Sequence, residues 1–235
     1  MPAKRTTFKI SANKITGGSG LAFIQEALDL SLPPRLVLYV RTPFKLPESI
    51  TTHPKVIVVK GELSDQEALD FAMKSNSVTS VISFLGAYIS PSAIITRPKH
   101  TPIGDSFPGI MQAMRANCVR RIMALSTPSY WIDGKDVSTW RISAFAALPK
   151  IFVPQGNAEM VKVAQEVAGA DDLDWTVFRV PHLSDGPGNL PVYAGYASPH
   201  HEGSLNLSRR SLGRWALEEL RDPKWIKGVP FLGNC

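Results

Sequence analysis

The stretch from Ser11 to Gly20 limits what this chain can fold into more than any other. Before it, Phe8, Ile10 and Ala12 alternate with polar residues and read as a first strand. After it, Leu21 to Leu28 reads as an amphipathic helix. Between them stand Gly17, Gly18 and Gly20. A strand, a glycine-rich turn and a helix start are the entry to a dinucleotide-binding α/β fold. The glycines let backbone amides approach a pyrophosphate, and the helix N-terminus favours its charge.

Against the pattern G-A-T-G-x-x-G, Thr16 matches the threonine, and Gly17 and Gly20 match the second and third glycines. The first glycine is absent. Without a gap its place is taken by Lys14; with three residues inserted it falls on Ser11. Either way, the residue that makes the tight turn inexpensive is missing. Three readings of Lys14 stand: its ammonium neutralises a phosphate, its side chain fills the site, or it is a solvated lysine on a longer loop.

The rest of the chain alternates strand and helix. Arg35 to Arg41 is a continuous apolar run flanked by Pro33-Pro34 and Thr42-Pro43, a buried parallel strand. Lys55 to Lys60 is a third strand. Ser64 is expected to cap a helix reaching Lys74, with Glu67 completing a capping box. A fourth strand spans 79–85, and an irregular loop with three prolines spans 86–103. A helix is expected over 104–117, a fifth strand over 119–125, and a short helix around 139–147. A stronger helix over 157–168 carries Met160, Val163, Ala164 and Val167 on one face. A sixth strand covers 174–180, a short strand 192–196, and a last helix 208–220. The fold class is therefore α/β, a doubly wound parallel sheet of Rossmann-like type in strand order 3-2-1-4-5-6. Ligands belong at the carboxyl ends of strands 1 and 4. One domain spans 1–235, with 128–156 and 182–206 as substrate-side loops and a small C-terminal extension.

Composition narrows the function classes. The 235 residues suffice for one such domain, with 44% hydrophobic and 20% charged residues. The net charge is +6, but the densest basic groups, Arg120-Arg121 and Arg209-Arg210, are only pairs. Nucleic-acid binding needs a clustered patch, so none is expected. Two cysteines, Cys118 and Cys235, make neither a metal spacing nor a disulfide framework and fit a reducing compartment. No apolar signal core or membrane-length run is present, so a cytoplasmic protein without membrane contact is expected. His200-His201-Glu202 lacks further ligands of suitable spacing and reads as a surface loop, with no metal.

Several segments together resemble the atypical short-chain dehydrogenase/reductase proteins of the NmrA-like, NAD(P)H-binding group, of which biliverdin-B/flavin reductase is a distant member. They are the partial glycine motif, Tyr39 to Leu46, Val59 to Asp65, Val119 to Ile122, Leu173 to Pro181, and Leu207 to Trp215. The resemblance runs from about residue 6 to residue 220.

Candidate site residues follow from both lines. Arg41 stands where an acid would hold the ribose hydroxyls; an arginine there accepts a 2′-phosphate, with Lys45 close by, so NADP is favoured over NAD. The alternative is an exposed strand-end arginine. Gly86 leaves the fourth strand, and the resemblance sets the turn from Phe84 to Tyr88 against the cofactor; a plain strand-to-loop glycine would look the same. Ser126, Thr127 and Tyr130 follow the fifth strand, where the resemblance implies a hydroxyl beside the nicotinamide. The Tyr-x-x-x-Lys pair is not present, because Gly134 is four residues past Tyr130 and Lys135 one further. Tyr130 reads equally as a packed loop aromatic. Pro181-His182-Leu183 matches an element of biliverdin-B/flavin reductase; His182 is a proton donor or a structural histidine. The resemblance aims Gln155, Asn157 and Glu159 at the mouth of the site. Glu159 alternatively favours a helix N-terminus electrostatically. Asp185 beside Gly186 is an acid or, more simply, a turn former.

The leading expectation is an NADP(H)-dependent oxidoreductase acting on a small, largely apolar metabolite. Tyr130 or His182 would donate the proton, and Ser126 or Thr127 would bind a carbonyl oxygen. One alternative is a cofactor-independent isomerase, cyclase or addition enzyme on the same scaffold, NADP binding having been lost. Another is an NADP-binding redox-sensing regulator. The sequence leaves the oligomeric state open.

Overall fold

The computed structural model describes residues 7–11, 17–86 and 100–235. Six parallel strands form the centre: β1 (Thr7–Ser11), β2 (Arg35–Val40), β3 (Val56–Lys60), β4 (Ser80–Ser83), β5 (Arg121–Ser126) and β6 (Asp174–Arg179). Their order is β3-β2-β1-β4-β5-β6, as expected from the sequence. The parallel register, Ile10 opposite both Leu38 and Ile82 and Ser83 opposite Ala124, brings the carboxyl ends to one edge.

Beyond β6 the sheet continues into β10 (Phe231–Asn234), parallel to it, and then β8 (Val192–Gly195), antiparallel to β10. The sequence reading placed no strand at 231–234. Two further short strands, β7 (His182–Ser184) and β9 (Asn206–Ser208), pair with each other.

The helices are α1 (Gly18–Leu28), α2 (Glu48–Thr51), α3 (Gln66–Ser75), α4 (Pro102–Ala116), α5 (Trp140–Phe152), α6 (Pro154–Ala168) and α7 (Arg209–Arg221). On one face α1 lies along α7; on the other α3 packs on α4 and α4 on α6. A doubly wound sheet follows, because each apolar strand face needs a helical stripe to cover it. The cap of α3 is Asp65, not Ser64: its carboxylate accepts from the Ala68 amide at 2.9 Å. The helix thus starts one residue later than the capping-box spacing indicated, because the carboxylate is a strong cap and suits the positive helix end. The short helix expected at 139–147 runs on to Phe152, through Pro149.

The α1–α7 contact is close. A Cβ on Gly213 would stand 3.1 Å from the Phe23 Cα. Glu26 of α1 is buried and held by Arg210 and Arg214, each Nε at 2.5 Å. Phe23, Phe84, Phe178 and Trp215 form a run of ring contacts at 5.2, 5.8 and 5.7 Å, joining both helices to the sheet.

Candidate functional site

The carboxyl edge of the sheet gathers the start of α1, the exit of β2, and the loops leaving β4, β5 and β6. Lys14, Thr16 and Tyr88 lie outside the described residues. Gly17 is the N-cap of α1, with extended φ −77° and ψ 145°, and no side chain caps it. Gly18 and Gly20 open the helix, and the first turn carries no acidic residue. This is a helix end whose amides the chain's described side chains leave to a ligand, which fits an anionic cofactor group.

Arg41 follows β2 and is exposed. Among the described residues no hydrogen bond or ion pair engages it. Two residues earlier, Tyr39 is buried, and its phenol donates to the Glu62 carbonyl at 2.7 Å. Burial, with Asp65 and Glu62 nearby, pushes that phenol up to about 12. Gly61 is required here because any side chain would run into the Tyr39 ring. Together these contacts fix the strand end that presents Arg41. At Gly86, at the exit of β4, an added Cβ would meet no described residue within 4 Å.

The loop after β5 carries the hydroxyls. Thr127 Oγ1 and Ser129 Oγ are 2.6 Å apart, and Ser129 Oγ donates to Asn157 Oδ1. Ser129 has one hydrogen, so Thr127 donates to Ser129 and keeps its own lone pairs for a further donor. Ser126 is fully buried, and its Oγ donates to the Met160 carbonyl at 2.8 Å, tying β5 to α6. Tyr130 is half-buried; burial raises its phenol above the ordinary value, and the nearby Arg179 charge pulls it back.

That loop is pinned by a buried ion pair. Arg179, at the end of β6, gives two bonds to Asp136, at 2.6 and 2.9 Å. The guanidinium also donates to the carbonyls of Tyr130 at 3.0 Å and Val229 at 2.9 Å. Asp136 accepts in addition from the amides of Ile132 and Ala197, at 2.7 and 2.8 Å. The sequence reading missed this pair and Ser129. Arg179 carried a signal, an arginine between Phe178 and Val180 in an apolar strand; Asp136 carried none.

The remaining candidates take separate places. Asn157 reaches the hydroxyl line. Gln155 Nε2 donates to the His100 carbonyl at 3.4 Å. Glu159 is buried and accepts from the amides of Gly104 at 2.9 Å and Ile103 at 3.1 Å. It therefore caps α4, a helix end other than its own. His182 is exposed on β7. Asp185 pairs with Arg209 at 2.8 Å. His201 departs from the surface-loop expectation. Its ring stacks on Phe231 of β10 at 4.7 Å and meets Tyr193 of β8 edge-on at 4.6 Å, and the Ser204 amide that follows donates to the Asn234 carbonyl of β10. No group of metal-ligating side chains is found among the described residues. There, too, no helix is long and apolar enough to cross a membrane.

Burial raises the Glu159 carboxyl above its usual range, and the two backbone donors lower it in part. The folded chain then holds this proton to higher pH than the unfolded chain does. The stability it contributes is complete below the usual carboxylate range and is lost as pH rises through the raised pKa. Urea denaturation of wild type and Glu159→Gln across that range should show wild type losing ground as pH rises. Parallel stability curves would contradict this account of the α4 cap.

Comparison with known proteins agrees with the fold. A family model described as NAD(P)H-binding matches residues 15–223. A short-chain dehydrogenase/reductase from Veillonella parvula DSM 2008 is similar at 18% identity over 97% of this chain and 94% of that one, with TM-score 0.71. A second structure from that organism, described as in complex with NADP, gives 18% identity, the same coverage of 97% and 94%, and TM-score 0.69. A putative epimerase from Bacteroides thetaiotaomicron is similar at 15% identity, over 97% of each chain, with TM-score 0.68. No curated protein matches the chain. With its family model covering most of its length and its sheet wound in the expected order, the chain belongs to the NAD(P)H-binding family of Rossmann-fold proteins.

Proposed function

We propose that this protein is an NADP(H)-dependent oxidoreductase acting on a small, largely apolar molecule. One observation carries the reading. A single edge of the sheet holds both an uncapped, glycine-opened α1 and the line of Thr127, Ser129 and Asn157 beside Tyr130. Arg41 favours NADP, since it is exposed where a 2′-phosphate would lie and no acid replaces it. The NADP complex of the Veillonella neighbour supports the same choice.

Gly17 to Gly20 would hold the dinucleotide and Arg41 its 2′-phosphate, and when bound it would supply hydride chemistry at the nicotinamide. This chain's residues do the rest. Tyr130, kept protonated by burial, gives a proton to the substrate oxygen. Thr127 Oγ1 accepts from the hydroxyl so formed, and the bond from Ser129 to Asn157 fixes its direction. His182, exposed near the same edge, is a second donor. The segments 128–156 and 182–206 form the substrate wall. Its apolar side includes Trp140, Leu148, Ile151 and Phe152 of α5, all exposed. Such side chains favour an apolar substrate.

The test is acceptor-dependent oxidation of NADPH, followed by loss of its absorbance with a panel of aromatic aldehydes, ketones, quinones and flavins. Turnover with an apolar acceptor is expected. Saturable NADPH binding without turnover on any acceptor would overturn the catalytic part of the reading.

A further inference from the structure

The two helices of one face begin at the same end. Gly18, the first residue of α1, lies against Arg209, the first of α7; a Cβ on Gly18 would stand 2.9 Å from both Cδ and Nε of Arg209. Five residues along α1, Phe23 lies against Gly213, four along α7. The near-equal steps mean that the helices run side by side in one direction. The positive ends of both point to the edge where the dinucleotide binds. The first turn of α7 is capped by Ser208 Oγ, which accepts from the Ser211 amide. The first turn of α1 has no side-chain cap and no acid.

Arg209 is held in place by Asp185 alone among the described carboxylates, at 2.8 Å. The Asp185 side chain is 94% exposed and that of Arg209 27%. An ion pair with so exposed a partner binds weakly, and a doubly negative diphosphate can displace it. The chain also lacks the first glycine of the phosphate-binding turn.

We propose that Arg209 is a diphosphate-binding residue, which exchanges Asp185 for an oxygen of the cofactor's linking diphosphate above Gly18. The inference rests on the NADP(H) reading and adds to it a binding residue nearly 190 positions beyond the glycine turn. α7 of the same chain then adds a cationic side chain at the start of α1. Gly18 then has a second requirement: a side chain there would push the guanidinium off the helix end.

Titrations of wild type, Arg209→Gln and Arg209→Lys with NADPH test this, together with 2′-AMP, which has no diphosphate, as a competitor. Arg209→Gln should weaken NADPH binding about tenfold to a hundredfold, the range for a lost hydrogen bond to a charged group. It should leave 2′-AMP competition unchanged, and Arg209→Lys should recover part of the loss. Asp185→Asn, which removes the competing carboxylate, should bind NADPH at least as tightly as wild type. Arg209→Gln with wild-type NADPH affinity overturns the proposal. Equal weakening of NADPH and 2′-AMP also overturns it, because it marks a general structural effect. Failure of wild type to bind NADPH removes the cofactor reading itself, a result that needs no variant.

Discussion

Arg179→Met is expected to lower the unfolding free energy by about 3–5 kcal/mol, the range for breaking a buried ion pair by removing one partner. Arg179 and Asp136 are almost wholly buried, and the carboxylate would be left to two backbone amides. Asp136→Asn should cost less, because a neutral amide leaves no bare charge but loses the charge-assisted fork. The double variant Arg179→Met with Asp136→Leu should recover much of the loss, since an apolar replacement removes the desolvation penalty along with the attraction. Urea denaturation of the three variants checks this. A loss below about 1 kcal/mol for Arg179→Met would show that the pair is not a stability element. The same pair matters to the site. It joins the loop 127–136 to the end of β6 and bonds directly to the Tyr130 carbonyl. Its loss frees the segment that carries the proposed donor.

The second large effect is on chemistry. Tyr130→Phe should lower kcat with the acceptor found by about 10²–10⁴-fold, the range for general acid catalysis, while NADPH affinity stays the same. The ring remains to pack against the core, so folding should be unaffected. Burial holds the phenol protonated beyond its ordinary range, so the rate should stay level through neutral pH and fall only at strongly alkaline pH. Ser129→Ala should act more mildly, because it removes the link to Asn157 and leaves the Thr127 hydroxyl in place. Steady-state kinetics separates these cases. Wild-type kcat in the Phe variant would remove Tyr130 from the reaction and leave His182 as the donor.

The fold was legible because its main signals are local. Apolar runs such as Arg35 to Val40, ended by prolines and glycines, mark buried parallel strands wherever they occur. Their alternation with helices then leaves few possible topologies. Strand β10 escaped because Phe231 to Asn234 is four residues long, includes Gly233, and gains its identity only by pairing with β6 and β8. Asp65 and Ser64 offered adjacent caps, and sequence spacing alone favoured the wrong one.

The site was legible in part. Thr127 and Tyr130 lie in the loop after β5 and Asn157 in the first part of α6, as the order of elements led one to expect, and their part in a site rests on the resemblance. Ser129 was overlooked because nothing in the order of residues distinguishes one loop hydroxyl from its neighbour. Glu159 was read as facing the mouth of the site or, alternatively, as favouring the start of its own helix; it instead caps α4, with partners 55 and 56 residues away. Arg179 with Asp136, and Arg209 with Gly18, are pairs between distant segments. Only packing of the folded chain brings them together.

The central claim is that the edge around Gly17 and Arg41 binds NADP(H). The most direct test is calorimetric titration of wild type and Arg41→Ala with NADPH and NADH. The account predicts saturable binding of NADPH, weaker binding of NADH, and loss of that difference in Arg41→Ala. Absence of NADPH binding at millimolar nucleotide, or a preference for NADPH unchanged by Arg41→Ala, would contradict it.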